Sequence, residues 1–133
     1  MILLDTHGIV WWQAGDERLS ATARRAIASA DAILVSPISC WEIAMLVEKG
    51  RIALDRDTSV WVQDFLQTER VAVAELTPTA AVAAARFPSV GFPGDPADAY
   101  LYATARERDV PFVTKDERIR AYARAARDLR VVW

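Results

Sequence analysis

The sequence has few of the features that mark a disulfide-bonded, secreted or membrane-spanning protein. Cys40 is the only cysteine, so the chain can form neither an internal disulfide nor a multi-cysteine zinc site. The apolar N-terminal segment is only a few residues long and has no cationic leader, which argues against a signal peptide. No stretch approaches the roughly 20 apolar residues of a membrane span. These absences predict a cytoplasmic protein that does not associate with membranes.

Positive charge is not in excess either. The formal net charge of -2 and the pI near 5.4 argue against a polyanion-binding surface over the whole protein, although they do not describe local patches. Nearly all of the 16 cations are arginines, the exceptions being Lys49 and Lys115, and arginine suits bidentate contacts with phosphate or carboxylate. Composition therefore leaves nucleic acid open as a partner without favouring it.

The length and the hydrophobic content predict one domain. A chain of 133 residues, 53% of them hydrophobic, can bury one sizeable core and is too short to argue for two. Short apolar segments, typical of strands in a parallel sheet, recur at 2–4, 32–35, 71–76, 110–114 and 129–133. Helical patterns lie between them, with start signals at Thr6, Ser20, Ser36, Thr58 or Ser59, Pro78, Asp95 and Asp116. This alternation predicts a single α/β domain over residues 1–133 with a mostly parallel sheet.

Four acidic residues occupy similar places in this pattern. Asp5 follows the first strand, Glu42 lies in the helix after the second, Asp98 lies on the first turn of its helix, and Asp116 follows the fourth strand. Parallel strands would project all four from the same edge of the sheet, where α/β proteins bind ligands. Converging carboxylates repel unless a cation neutralises them, so the pattern indicates Mg²⁺ or Mn²⁺. Such a metal can activate water for phosphodiester hydrolysis.

Helix capping offers a plainer explanation for some of these acids. Acidic residues are favoured in the first turn of any helix, so Asp95 is expected to be an N-cap and Asp98 can be the third-position acid of its capping box. Glu42 lies mid-helix, where capping does not apply, and its alternative is an exposed helix face. Capping therefore accounts for single acids more readily than for all four.

Four short motifs, in order, resemble the signature segments of PIN-domain ribonucleases, and more closely those of the VapC-like toxins of toxin–antitoxin modules. The segments are Asp5-Thr6-His7, Ser36-Pro37-Ile38-Ser39-Cys40-Trp41-Glu42-Ile43-Ala44, Gly94-Asp95-Pro96-Ala97-Asp98-Ala99 and Thr114-Lys115-Asp116-Glu117. Together they span essentially the whole chain. Where many relatives have a histidine before the Gly-Asp-Pro segment and an arginine after the third acid, this chain has Gly91-Phe92-Pro93 and Ala99.

The resemblance implies a fold, an activity and partners. The fold is a Rossmann-like, three-layer α/β/α sandwich, and the activity is endonucleolytic cleavage of single-stranded RNA at an Mg²⁺ or Mn²⁺ site. That site is formed by Asp5, Glu42, Asp98 and Asp116. A cognate antitoxin is expected to inhibit the enzyme, which is commonly a homodimer in this family. Three neighbouring hydroxyl residues, Thr6, Ser39 and Thr114, are candidates for supporting the acids, although each can equally be a capping group.

Other side chains have both a functional and a structural interpretation. His7 can contact RNA near Asp5, although a lone histidine on a first helical turn is more often structural. Cys40 is expected to be a small buried residue. Four tryptophans can be core or can line an antitoxin groove, and at least one should face a partner: Trp11, Trp12, Trp41 and Trp61. Four arginines can be a solvated face or can hold RNA beside the acids: Arg118, Arg120, Arg124 and Arg127.

Two other functions remain open from the sequence. One is another metal-dependent phosphoryl-transfer enzyme such as a phosphatase, although an aspartyl-phosphate enzyme would need a second aspartate where the chain has His7. The other is a catalytically silent domain of the same fold that only binds a protein. Retention of all four acids argues against the silent domain, and a neighbouring gene for a DNA-binding antitoxin would favour the toxin.

Overall fold

The computed structural model, which describes residues 1–133, contains five strands that form one parallel sheet. The strands are β1 (Ile2–Leu4), β2 (Ile33–Val35), β3 (Val71–Val73), β4 (Phe112–Val113) and β5 (Val131–Val132). Their order in the sheet is β3-β2-β1-β4-β5, and every neighbouring pair is parallel. The α/β fold with a parallel central sheet is therefore confirmed.

Seven α-helices and one 3₁₀ turn connect the strands. The helices are α1 (Thr6–Ala14), α2 (Ala21–Ser29), α3 (Pro37–Glu48), α4 (Thr58–Leu66), α5 (Pro78–Arg86), α6 (Pro96–Arg108) and α7 (Glu117–Ala126). The 3₁₀ turn, Phe87–Val90, directly follows α5. None of the helices is long and apolar enough to cross a membrane.

The central strand β1 is buried on both faces because helices cover the sheet on both sides. Leu3 packs into one core with Tyr102 of α6, whereas Ile2 and Leu4 pack into a second core with Ile9 of α1. Alternate residues of a strand point to opposite faces, so three consecutive apolar residues fill both cores. The result is the three-layer sandwich that the resemblance implied.

Two helix starts lie one residue earlier than the sequence predicted. Asp5, not Thr6, caps α1, and Asp57, not Thr58 or Ser59, caps α4. In both places an aspartate precedes a hydroxyl residue, and aspartate is at least as good an N-cap as threonine. The prediction of Thr6 as a cap was therefore wrong, and its hydroxyl is free for another contact.

Strand β3 is shorter than predicted and ends at Val73 rather than at residue 76. It is an edge strand that pairs only with β2, and Val73 is exposed. Parallel pairing with the short strand β2 ends at Val35, so the apolar residues that follow Val73 leave the sheet. Apolar character alone did not show where the partner strand ends.

The strand order reverses between β1 and β4. From β1 the chain moves first to β2 and β3 on one side, and later to β4 and β5 on the other. The connections that leave the carboxyl ends of β1 and β4 therefore diverge and open a crevice, which is where open α/β sheets bind ligands. Asp5 follows β1, and Thr114 follows β4, at this point.

Candidate active site

Asp5 lies at the floor of the crevice, where its carboxylate is fixed by the start of α1. Its backbone N–H donates to the Val113 carbonyl at 2.9 Å, and its Oδ1 accepts from the Gly8 N–H at 2.6 Å. Burial raises the pKa of Asp5 to about 6, against the opposing effects of Gly8 N–H, the Thr114 hydroxyl and Lys115. Burial makes the ionised form of this carboxylate unfavourable, and a cation bound beside it would offset that loss of hydration.

Gly8 leaves the space in which the Asp5 carboxylate sits. A Cβ on Gly8 would lie 2.8 Å from Asp5 Oδ1, which is closer than Cβ atoms in proteins come to other non-bonded atoms. The requirement concerns space, since the Gly8 backbone is ordinary helix. Residue spacing gives no sign of such a contact, so Gly8 was not among the residues predicted from the sequence.

Glu42 is joined to α1 by a hydroxyl pair. Thr6 Oγ1 donates to Glu42 Oε1 at 2.7 Å, and Thr6 Oγ1 lies 3.1 Å from the Oγ of Ser39, which is fully buried. Because Thr6 has one hydroxyl proton and gives it to the carboxylate, the Ser39 hydroxyl donates to Thr6. Burial raises the pKa of Glu42, and the negative charge of Asp95 raises it further. Glu42 is thus a half-buried, oriented acid rather than a residue of an exposed helix face.

Asp98 and Asp95 form a capping box at the start of α6. Asp95 Oδ1 accepts from the Asp98 N–H at 2.9 Å, and Asp98 Oδ2 accepts from the Asp95 N–H at 3.2 Å. Burial raises the pKa of Asp98 to about 7, and the Asp95 charge and Glu42 add to that effect. The prediction that Asp98 belongs to a capping box is confirmed. Capping does not require the acid to be partly buried, however, so it does not explain the raised pKa of Asp98.

Asp116 is the most exposed of the four acids and caps α7. Its Oδ1 accepts from the N–H groups of Arg118 and Ile119, and its Oδ2 pairs with the Arg118 guanidinium at 3.2 Å. These bonds outweigh partial burial and lower the pKa of Asp116. Thr114 Oγ1, which is buried, accepts from the Asp116 N–H at 3.2 Å and so fixes the turn. Asp116 is ionised under all ordinary conditions.

The four acids influence one another but do not form a closed cage. The charge of Asp116 raises the pKa of Asp5, and Glu42 interacts with Asp5 and with Asp98. No three His, Cys, Asp or Glu side chains lie close enough to hold a metal ion directly between them. Mutually repelling oxygen donors nevertheless fit a hard divalent cation, and Mg²⁺ usually keeps several waters, so a partly water-mediated site fits this donor set.

The tryptophans differ in exposure. Trp11 is buried, Trp12 and Trp61 are partly buried against Phe65, and Trp41 has 56% of its surface exposed. Trp41, one residue before Glu42, is therefore the tryptophan best placed to face a partner. Cys40 is half-buried, and burial raises the pKa of its thiol, as suits an inert residue.

The arginines of α7 do not form one rim around the acids. Arg118 lies at the site beside Asp116, whereas Arg124 and Arg127 line a separate cavity with Asp109 at the other end of the helix. Arg118 and Arg127 are nine positions apart along α7 and its C-cap, which corresponds to roughly 13 Å. Arg118 is therefore placed to act at the acidic site, whereas Arg124 and Arg127 are not.

The free energy of unfolding is expected to fall as the pH rises from about 4 to about 8 without divalent cations. The pKa values of Asp5 and Asp98 are 3.8 in an ordinary setting and about 6 and about 7 in the folded protein. The folded protein therefore holds protons that the unfolded chain has released, and this advantage is lost as the pH rises. His7, whose pKa is lowered, opposes the trend.

Urea unfolding of Asp98→Asn at about pH 5 and about pH 8 measures this effect. Between these two pH values, the free energy of unfolding should fall by about 1–2 kcal/mol less in the variant than in the wild type, after allowance for solvent screening. The contribution of His7 is the same in both proteins and cancels. Equal pH dependence in the two proteins would show that Asp98 does not have a raised pKa.

Comparison with known proteins finds a family model and a relative that match most of the chain. The family model described as the PIN domain matches residues 2–125. The chain is 44% identical over 121 residues to ribonuclease VapC22 of Mycobacterium tuberculosis, and the match covers 91% of each chain.

Solved structures of similar fold include proteins named VapC20 and VapBC2. The M. tuberculosis VapC20 toxin, described as cleaving the sarcin–ricin loop, has a TM-score of 0.67 and 20% identity, over 91% of this chain and 95% of that one. The VapBC2 structure from Rickettsia felis, bound to a promoter DNA fragment, has a TM-score of 0.66 and 15% identity, and the match covers 98% of this chain and 97% of that one. At these identities the likeness concerns the fold alone.

Proposed function

The chain belongs to the PIN-domain family, and from that premise we propose that it is an endoribonuclease, the toxin of a VapBC-type toxin–antitoxin module. The observation that carries the proposal is the 44% identity to a VapC ribonuclease over 91% of both chains. The acids Asp5 and Asp116 at the carboxyl ends of β1 and β4 support it, because an acidic site of this kind can hold a cation that assists phosphodiester hydrolysis. Residues 1–133 are proposed to act as one domain.

The proposed reaction depends on Mg²⁺ or Mn²⁺ held by Asp5, Glu42, Asp98 and Asp116. A bound cation would lower the pKa of a water molecule and neutralise negative charge on the phosphoryl group. Asp5 and Asp98 are the acids whose charge is most costly without a cation, since burial raises the pKa of each well above its ordinary value. Cation binding should therefore release protons from these two carboxyls near neutral pH.

The surrounding hydroxyls and backbone fix the directions of the acids. Thr6 orients Glu42 by donating to Oε1, and the buried Ser39 hydroxyl holds Thr6 in turn. Thr114 fixes the turn that leads to Asp116. Preorganised carboxylates lose little rotational freedom when they bind, which is the value of such support.

A cognate antitoxin is proposed as the protein partner, and a homodimer as the assembly. The structures of similar fold include a toxin–antitoxin complex from Klebsiella pneumoniae, with a TM-score of 0.62 and 14% identity over 87% of both chains. Trp41, more than half exposed beside Glu42, gives the surface near the acids an apolar side chain that a protein partner would cover.

Cleavage of total RNA by antitoxin-free protein with Mg²⁺ or Mn²⁺ tests the proposal. We expect discrete fragments with the wild type, none in EDTA, and none with Asp98→Asn. A metal-loaded wild-type protein that cuts no RNA would favour the catalytically silent binding domain instead. Cleavage that persists in Asp98→Asn would place the site elsewhere or indicate a contaminating nuclease.

A further inference from the structure

A cavity of about 350 Å³ opens next to the acidic site. Thr6 and His7, which directly follow Asp5, form part of its wall, and Thr6 is also the residue that donates to Glu42. Its wall combines apolar side chains, among them Val10, Leu46 and Ile52, with polar and charged ones. Thr6 thus connects the cavity wall to Glu42. The cavity is large enough for a small ligand group, since ligand sites begin at about 300 Å³.

Arg18, on the rim of this cavity, is held in one position although its side chain is 67% exposed. Its Nε and Nη2 donate to the two carboxylate oxygens of Asp16 at 3.1 and 2.7 Å. Its guanidinium carbon also lies 5.0 Å from the centre of the buried Trp11 ring. An exposed arginine ordinarily loses side-chain entropy when it binds a ligand, and these contacts have already removed most of that cost.

The pinned guanidinium keeps most of its donors. A guanidinium has five N–H groups, and the Asp16 pair occupies one on Nε and one on Nη2. The remaining N–H groups are available to an anion. Lys115 brings a second cation to the same indole, with Nζ 4.8 Å from the ring centre, and its charge acts on Asp5. Arg51 adds a third cation to the cavity wall.

We propose that this cavity is a substrate subsite that binds one nucleotide of single-stranded RNA next to the scissile phosphate, with Arg18 contacting the nucleotide's phosphate. The proposal rests on the proposed ribonuclease function. A basic rim on an acidic protein is the arrangement that a polyanion requires beside a carboxylate cluster. Guanidinium groups match phosphate geometry, and the apolar part of the cavity wall offers contact for a sugar or base.

Steady-state cleavage of a single-stranded RNA oligonucleotide that contains a mapped cleavage site tests the subsite. Arg18→Gln should raise KM about tenfold with kcat unchanged, because a charge-assisted contact made equally in the ground and transition states is lost. The slope of log(kcat/KM) against log[salt] should become less steep by about 0.7, the value for one phosphate contact on a single strand. Arg18→Lys should keep the wild-type slope but recover KM only in part.

Arg106→Gln is the matched control. Arg106 pairs with Asp128 at 3.0 Å, and its guanidinium carbon lies 4.9 Å from the Phe87 ring centre, so its side chain is held by an aspartate and an aromatic ring as that of Arg18 is. It lies near the C-terminal end of α6, whereas Asp98 lies near the N-terminal end. This variant should have wild-type KM and salt slope. Identical kinetics for Arg18→Gln and Arg106→Gln would overturn the subsite.

Two further outcomes separate this subsite from the proposed function. A wild type that cuts no RNA refutes the ribonuclease itself, whereas a wild type that cuts RNA with unchanged kinetics in Arg18→Gln refutes only the subsite. If Arg18→Gln leaves RNA kinetics unchanged but weakens inhibition by the antitoxin, the cavity binds a protein segment instead of RNA.

Discussion

Replacing Asp5 with asparagine is expected to lower the rate of RNA cleavage by at least about a thousandfold, which corresponds to about 4 kcal/mol of transition-state stabilisation. Asparagine keeps a carbonyl oxygen that can accept from the Gly8 N–H, so α1 should retain its cap. The change therefore removes the charge and little else. Single-turnover cleavage of the mapped RNA oligonucleotide measures the loss.

Asp57→Asn is the matched control for this prediction. Asp57 caps α4 by accepting from the N–H groups of Ser59 and Val60, and it is exposed and not among the four acids. It should retain wild-type activity. If Asp5→Asn keeps more than about a tenth of the wild-type rate, Asp5 acts mainly as a helix cap and the proposed metal site is wrong.

The same Asp5→Asn variant should unfold at a higher temperature than the wild type in EDTA near pH 8. Because burial raises the pKa of Asp5 to about 6, the folded wild type carries an unfavourable buried charge at that pH. Asparagine removes it. A gain in stability together with a loss of activity is typical of a functional acid, whereas an ordinary structural carboxylate would lose stability when neutralised.

Gly94→Ala is expected to cause the second-largest loss, about a hundredfold in kcat and about 1–3 kcal/mol in stability. A Cβ at Gly94 would lie 2.6 Å from the Asp98 Cβ and 2.7 Å from a ring carbon of Phe92. Asp98 Cβ is fixed by the first turn of α6 and Phe92 is buried in the core, so neither can retreat freely. The added Cβ can therefore be accommodated only by a strained shift of these groups, and we expect that shift to move the Asp98 carboxylate away from the other acids.

Gly91→Asn provides the control for Gly94→Ala. Gly91 has a left-handed backbone with φ of 87°, and a Cβ at this position would have no other atom within 4 Å. Asparagine tolerates the left-handed conformation better than most residues, so the activity of this variant should stay close to wild type. Thermal unfolding and kcat are measured for both variants, and wild-type values for Gly94→Ala would show that Asp98 has room to adjust.

The sequence could predict the sheet and the edge that carries the acids, because strand burial and helix periodicity are local patterns. It could not place the Glu42 carboxylate against Thr6, since that contact depends on how α3 is rotated against α1. Thr6 was also predicted to be a cap, and the true cap, Asp5, left the Thr6 hydroxyl free for this role. The sequence thus named Thr6, Ser39 and Thr114 as candidate supporting residues, but the structure was needed to show what each one contacts.

The roles of Gly8 and Gly94 were missed for a different reason. Neither has a left-handed backbone, and each is needed because a carboxylate residue occupies the space where its Cβ would be. Sequence spacing identifies residues that carry chemistry, but it does not show which empty volumes the chemistry requires. Arg18 was likewise not singled out, because its value lies in the contacts with Asp16 and Trp11.

Titration with Mn²⁺, followed by the EPR signal of the free ion, tests most directly whether the acids hold the catalytic cation. We predict saturable binding by the wild type near pH 8 and affinity lowered at least about tenfold in the double variant Asp5→Asn, Asp98→Asn. Asp57→Asn should bind as the wild type does. A wild type without saturable binding, or a double variant that binds equally well, would contradict the proposed metal site.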